Sequence, residues 1–422
     1  MEAPLFILFF LVFAFIITQI PFFKNSGLGV WWLVILFFLK VIAGIFYGWF
    51  YHQPAYVSGA DTWKYFEMSK EETEWLLRDP WAFTKDLFTS NYKTNSNLFA
   101  GENSYWNDLK SNLLIKFMAL CNVVTLKDYY ADMVIFNFLS FCGPVALYRI
   151  CREKFHTQQL MLAIAVFCIP SFLFWCSGLH KDGLLFSATA MIMFSFNRLL
   201  QKKKIRSGYL LLILFCFTIV FALRNFIAIL LLPALLIWWL CKFYPQKKWI
   251  WIAAVYGGGL FIFFIAPHIN SSLDFPGYII AKQKEFIGLG GNSQLGYPLL
   301  QPGLFGFISY LPYAVDIAFL RPHFTETENA AYLPAIAENF VFICFFIFWG
   351  IKKFQNKSLT ENKKSTASSF VVFCFCFALS ALLLTGFTVT LTGAVVRYRA
   401  LFLPFIFAPL CSAIKIARKR GL

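Results

Sequence analysis

Apolar runs of about twenty residues follow one another along most of this chain. A run of that length is what an α-helix needs to cross the hydrocarbon core of a bilayer, so the pattern predicts a membrane protein. The composition agrees with this, because 59% of the 422 residues are hydrophobic and only 14% are charged. We predict an all-α fold, a polytopic transmembrane helix bundle with about 11 spans that forms a single integral membrane domain over residues 1–422.

The span boundaries follow from where polar residues interrupt the apolar runs. The predicted spans are 4–23, 28–50, 128–148, 158–176, 184–200, 208–223, 226–241, 249–266, 334–350, 367–390 and 400–415. Segment 303–320 is also apolar, but Pro312 and Asp316 interrupt it. We therefore predict that this segment is interfacial or re-entrant.

Basic residues in the connections set the orientation of the predicted bundle. Clusters such as those within 149–154, 202–206 and 415–420 all fall on one side when the spans alternate. The positive-inside rule makes that side cytoplasmic, so the N-terminus is predicted outside and the C-terminus in the cytoplasm. Residues 51–127 and 267–333 then form two extracytoplasmic loop regions. The net charge of +16 reflects these clusters, and we expect membrane lipid, not nucleic acid, as a partner.

Three adjacent ionisable residues, His180, Lys181 and Asp182, lie between two predicted spans. Charged groups at the membrane boundary are costly unless they are paired or hydrated, so this turn is a candidate site. Lys181 suits a phosphate, His180 suits proton transfer, and Asp182 would support them. The alternative is a surface pair between Lys181 and Asp182, with His180 ending the turn.

Four arginines, Arg224, Arg321, Arg397 and Arg399, fall on the predicted outer face. The positive-inside rule disfavours arginine there, and the guanidinium group matches phosphate oxygens. They therefore predict an anionic ligand, and a polyprenyl-linked phosphate or diphosphate fits because its tail stays in the bilayer. The alternative is that each arginine reaches toward lipid headgroups.

Three further residues carry charge at unusual places. Asp61 begins the first outer region and is either a general base, a cation ligand or the N-cap of a helix. Glu338 lies just inside a predicted span, where we expect it to pair with one of the arginines. Lys40 lies near the middle of a predicted span and needs a cavity or a carboxylate. No metal ligands are assigned, because the histidines lack metal-binding spacing.

Three short patches resemble bacterial polytopic membrane proteins of surface-polysaccharide pathways. They are the Pro-Ser-x-x-Phe-Trp-x-Ser-Gly-x-x-Lys-Asp pattern at 170–182, Leu320-Arg321-Pro322 with Glu338-Asn339 downstream, and Arg397-Tyr398-Arg399. Those proteins are similar in architecture to the GT-C glycosyltransferases and O-antigen-polymerase-like enzymes. The resemblance implies a polyprenyl-linked sugar donor used on the outer face of the bacterial cytoplasmic membrane.

The resemblance also implies a role for Asp61, which matches the acidic residue of the first outer loop in GT-C enzymes. That residue acts as a base or as a metal ligand, so the resemblance leaves a divalent cation at Asp61 open; no cofactor is assigned. The family's paired acidic motif is absent, because Gly59-Ala60 precede Asp61. This departure leaves room for a metal-free mechanism that uses arginines.

The main functional hypothesis is a membrane glycosyltransferase or polysaccharide polymerase with a glycan or lipid-linked acceptor. Arg321, Arg397, Arg399 and Lys181 would neutralise the departing phosphate, and Asp61 or His180 would deprotonate the acceptor hydroxyl. A transporter or flippase for an anionic lipid-linked sugar would use the same arginines without a base. Discontinuous helices in two matching halves would favour it, and the sequence offers one candidate, 303–320. A structural subunit of an envelope complex would leave the outer charges unexplained. The main hypothesis predicts that five charged segments converge on one site. They are those of Asp61, residues 180–182, Arg224, Arg321 and residues 397–399.

Overall fold

The structure is a computed structural model that describes residues 3–89, 105–155, 159–201, 206–290, 293–326, 330–355 and 366–413. Within these ranges the secondary structure is helical, and strand pairing is limited to an isolated bridge between Gln294 and Leu391. The predicted all-α fold class is confirmed.

Eighteen α-helices are formed within the described ranges. They are α1 Ala3–Gln19, α2 Pro21–Lys24, α3 Val30–Tyr51, α4 Asp61–Arg78, α5 Pro80–Lys85, α6 Tyr105–Thr125, α7 Tyr129–Lys154, α8 Gln159–Phe167, α9 Pro170–Trp175, α10 Lys181–Gln201, α11 Ser207–Phe243, α12 Lys248–Ile269, α13 Phe275–Gly288, α14 Gly303–Val315, α15 Leu333–Gln355, α16 Thr366–Thr388, α17 Thr392–Ala400 and α18 Leu403–Ala413.

Among the described residues, eight helical elements are long and apolar enough to cross a membrane, which gives the chain the elements of a multi-pass membrane protein. They are Val30–Tyr51, Tyr129–Lys154, Lys181–Gln201, Ser207–Phe243, Pro245–Ile269, Gly303–Leu320, Ala330–Ile351 and Ser368–Thr388. Helices α17 and α18 meet the same test together, although a 50° bend separates them.

Most of the predicted spans coincide with these elements, and the differences lie where helices break. Predicted span 158–176 is divided into α8 and α9, and the first span is a helix of 17 residues. Predicted spans 208–223 and 226–241 form one element of 37 residues whose helical geometry is interrupted at Arg224. Segment 303–320, predicted to be interfacial or re-entrant, has the length and composition of a span. The total of about 11 spans stays a prediction.

By packing, the chain divides into two compact units. The first contains Met1–Ile150 and Phe172–Ala228, and the second contains Cys151–Ser171 and Ile229–Leu422. Each unit combines segments that are distant in the sequence. The candidate residues therefore fall into two groups, which are described separately.

In the first unit, the predicted loop region 51–127 contains helices α4 and α6, which pack against each other. Lys116 of α6 is buried, and its ammonium group lies 2.8 Å from Glu72 and 3.1 Å from Asp86. The same ammonium group lies 4.5 Å from the ring centre of Trp75 and 4.0 Å from that of Phe83. Opposite charges and aromatic faces both compensate the charge of a buried lysine, so this contact links α6 to α4 and α5.

In the second unit, helices α14 and α16 approach each other at a glycine. A Cβ atom placed on Gly386 would lie 2.0 Å from the carbonyl oxygen of Ala314, closer than any side chain allows. Two residues after Ala314, the helix widens into a π-helical turn over Asp316–Leu320. Such turns are frequent at functional sites, and this one leads directly into Arg321.

Candidate functional site

The first unit contains a buried charge pair between helices α10 and α11. Arg224 Nη2 donates a hydrogen bond of 2.8 Å to Asp182 Oδ1, and both side chains are almost fully buried. Asp182 Oδ2 lies 3.3 Å from His180 Nδ1. Arg224 adopts non-helical angles, with φ −154° and ψ 87°, where α11 is interrupted. Because a carboxylate compensates Arg224, its geometry indicates a structural ion pair more than a phosphate ligand.

The partner of Lys40 is the turn that carries His180. The Lys40 ammonium group donates to the carbonyl oxygen of Cys176 and lies 3.3 Å from Ser177 Oγ. Asn137 Nδ2 donates to the carbonyl oxygen of Ser177 at 2.8 Å. The intramembrane lysine therefore fixes the backbone of the turn.

Asp61 and Lys181 each occupy the first position of a helix, α4 and α10, and both are half-buried. Ala60, not Asp61, takes the N-cap position of α4. The next residue, Thr62, donates from Oγ1 to the carbonyl oxygen of Leu179 at 2.9 Å. The start of α4 therefore contacts the turn beside His180, so the first unit does bring the Asp61 and His180 segments together.

The second unit contains a polar cluster built on the π-helical turn, which we call the Asp316 cluster. Asp316 Oδ1 lies 2.9 Å from His323 Nε2, and Asp316 Oδ2 accepts a hydrogen bond from the Tyr297 hydroxyl. Arg321 donates to that hydroxyl from Nε at 3.0 Å and from Nη2 at 2.6 Å. Arg321 Nη1 donates to Glu326 Oε1. These five residues form one hydrogen-bonded group at the end of an apolar helix.

Two carboxylates neutralise Arg321 within this cluster. Burial lowers the pKa of the Arg321 guanidinium, but its hydrogen bonds with Tyr297 and Glu326 outweigh burial and raise the pKa above its ordinary value. Burial also raises the pKa of Tyr297, as does its hydrogen bond to Asp316. Arg321 therefore remains charged but is already paired, whereas the sequence predicted that it binds phosphate. The side chain of His323 is 37% exposed, more than those of Asp316, Arg321 and Glu326.

Arg399, in contrast, is buried with incomplete hydrogen bonding. It is 3% exposed, and Nη1 donates to the carbonyl oxygen of Arg321 at 2.8 Å. Its Nε and Nη2 have no partner among the described residues. Glu338 attracts Arg399 electrostatically, but no ion pair within 4 Å joins them in the described ranges. Glu338 Oε2 instead accepts from the backbone N–H of Ser171 at 2.7 Å.

Arg397 precedes Arg399 on α17 and is half-buried. The second unit thus brings together Arg321, Arg399 and Glu338, because Arg399 bonds to the Arg321 backbone and interacts with Glu338. The first unit brings together His180, Asp182 and Arg224. The convergence of all the segments on one site stays a prediction.

Sequence reasoning missed the role of Tyr297 and treated Asp316 only as an interruption of an apolar segment. The signal for Asp316 was present, since a carboxylate in an apolar run needs a partner and Arg321 and His323 follow it closely. Tyr297 gave no such signal, because it lies 19 residues before Asp316 in an irregular segment.

Within the described ranges, no group of three or more His, Cys, Asp or Glu side chains is placed to hold a metal ion. Asp61 accordingly has no described group of metal ligands around it. No protein family, curated protein or solved structure matches this chain. Function is therefore inferred from the geometry of the Asp316 cluster and of the group formed by His180, Asp182 and Arg224.

Proposed function

We propose that this protein is a membrane glycosyltransferase or polysaccharide polymerase. Its donor would be a sugar linked to a polyprenyl phosphate or diphosphate, used on the outer face of the bacterial cytoplasmic membrane in cell-envelope polysaccharide or glycoconjugate synthesis. The observation that carries the proposal is the half-exposed His323 ring held against Asp316 at the end of an apolar helix. Transfer from a membrane-anchored donor needs a group there that removes the acceptor's proton.

In this proposal His323 is the general base. With Nε2–H directed to Asp316, Nδ1 carries the lone pair that accepts the hydroxyl proton, and the nearby Asp316 carboxylate stabilises the resulting imidazolium. Arg321 and Tyr297 keep Asp316 in position. Arg397 would bind the departing phosphate, since electrostatic stabilisation of that group contributes most to the rate.

The first unit offers alternatives for the general base and for the phosphate ligand. Asp61 is the alternative base, and Lys181 is the alternative phosphate ligand. His180 is only 1% exposed, which favours a positioning role beside Asp182 over proton transfer with an acceptor.

Transfer of a labelled sugar from a polyprenyl-linked donor to candidate acceptors tests the proposal directly. We expect His323→Asn to lower the transfer rate about 10²- to 10⁴-fold, because that is the usual contribution of a general base. His268→Asn is the matched control, since His268 is exposed on α12 of the same unit. Equal rates for wild type, His323→Asn and Asp61→Asn would refute the proposed chemistry.

A transporter or flippase for an anionic lipid-linked sugar is the second candidate, and the helix breaks favour it. Helix α11 is interrupted at Arg224, and α17 and α18 form a bent pair. Discontinuous helices are typical of substrate sites in transporters. A flippase would move a labelled lipid-linked sugar across a liposome bilayer without an acceptor, and His323→Asn would leave that movement unchanged.

A further inference from the structure

Helices α15 and α17 place two oppositely charged, buried side chains near each other without joining them. Glu338 is 5% exposed and Arg399 is 3% exposed, so bulk solvent compensates neither charge. Glu338 Oε1, Arg399 Nε and Arg399 Nη2 have no partner among the described residues. Asn339 Oδ1, next to Glu338, is also buried without a hydrogen-bond partner among the described residues. Its Nδ2 donates to the Pro322 carbonyl oxygen at 3.1 Å. Buried polar atoms without partners are costly, so this group is incomplete by itself.

The signs of the charges restrict what completes this group. A fully ionised phosphate would accept hydrogen bonds from Arg399, but Glu338 would repel it and its oxygens have no proton to donate. Arg399 would repel a metal cation or an ammonium group, and neither could accept a hydrogen bond from its guanidinium group. A hydroxyl group satisfies both sides, because it accepts from the guanidinium group and donates to the carboxylate.

We infer that Arg399 and Glu338 bind hydroxyl groups of a sugar, with Asn339 Oδ1 as a further acceptor. The inference rests on the proposed function, since it assigns these side chains to the sugar of the donor or acceptor and leaves the phosphate to Arg397. The Asp316 cluster is adjacent, because Arg399 Nη1 bonds to the carbonyl oxygen of Arg321.

Saturation-transfer difference NMR on the full-length protein in lipid nanodiscs measures this binding. The probes are glucose, galactose, N-acetylglucosamine and inorganic phosphate, and maltoside detergents are excluded because their headgroups are sugars. The variants are Glu338→Gln and Arg399→Gln, with Glu285→Gln of α13 as the matched control. Gel filtration and thermal unfolding of each variant show whether it is folded.

For at least one sugar, we expect Glu338→Gln and Arg399→Gln each to weaken binding about tenfold or more, the usual effect of losing a hydrogen bond to a charged group. Glu285→Gln should leave binding unchanged. Tighter phosphate binding in Glu338→Gln, with sugar binding unaffected, would overturn the inference in favour of an anion site. Absence of sugar binding to the wild type would overturn it in favour of internal water alone.

The transfer assay separates this inference from the proposed function. Transfer by the wild type, together with unchanged sugar affinity in Glu338→Gln, would remove the inference and leave the function standing. Sugar affinity that falls as expected, without transfer to any acceptor, would support the inference and count against the enzyme.

Discussion

The buried pair of Asp182 and Arg224 gives the most quantitative prediction. At 2.8 Å, two unit charges attract by roughly 6 kcal/mol at an effective dielectric constant of about 20. The desolvation cost of burying both groups offsets most of this attraction, so the intact pair contributes little net stability. Removal of one partner leaves the other charge buried and uncompensated. We therefore expect Arg224→Met to lower the free energy of unfolding by about 3–5 kcal/mol.

A double-mutant cycle isolates the interaction between the two groups. Asp182→Asn should also destabilise the protein, and the double variant should cost at least about 2 kcal/mol less than the sum of the single variants. Unfolding by SDS in mixed micelles, followed by tryptophan fluorescence, provides the free energies. The control is Arg78→Met, an exposed arginine of the same unit, which should stay within about 0.5 kcal/mol of wild type. Single-variant costs that add to within about 0.5 kcal/mol would refute the ion pair.

Four other predictions concern the first unit. Lys116→Met should lower the free energy of unfolding by about 1–3 kcal/mol in the same SDS assay, because Asp86 loses its buried cation. Burial raises the pKa of Asp86, but hydrogen bonds from Asn112 and Lys116 outweigh burial and hold this pKa below 3.8. The resulting stabilisation is present above pH 3.8 and is lost as the pH falls through the lowered folded-state pKa. This loss of stability should be smaller in Lys116→Met when unfolding is measured between about pH 5 and 3. Burial, and then the charge of Asp86, raises the pKa of Asp108, so Asp108→Asn should stabilise the protein slightly at pH 7, by less than about 1 kcal/mol in thermal unfolding. Gly183→Ala should destabilise the protein by about 1–3 kcal/mol, because a Cβ there would lie 2.4 Å from a backbone carbonyl oxygen of the turn.

The fold class and most of the spans could be predicted from the sequence, because length and apolar character suffice to identify a transmembrane helix. The break at Arg224 was also predictable, because predicted spans 208–223 and 226–241 end and begin around it. Its partner Asp182 was not, since it lies in another helix. Apolar character alone also could not decide whether 303–320 spans, because one carboxylate in a span is tolerated once Arg321 and Tyr297 pair with it.

The candidate site was predictable only as a list of charges. Sequence reasoning identified Arg321 and Arg399 as unusual on the predicted outer face, yet it could not tell which of them is already paired. That distinction depends on Glu326 and Asp316, whose side chains contact Arg321 where the π-helical turn ends. The backbone determines which charges compensate each other, and residue type alone does not.

The close approach at Gly386 has a consequence for genetics. This position bears no chemical group, yet any side chain there would push α16 away from Ala314, which lies two residues before Asp316. A random search for inactive variants should therefore recover Gly386 as readily as the polar residues themselves. Because the facing atoms belong to the backbone of Ala314, neither a smaller side chain on α14 nor a new charge in the Asp316 cluster should suppress such variants.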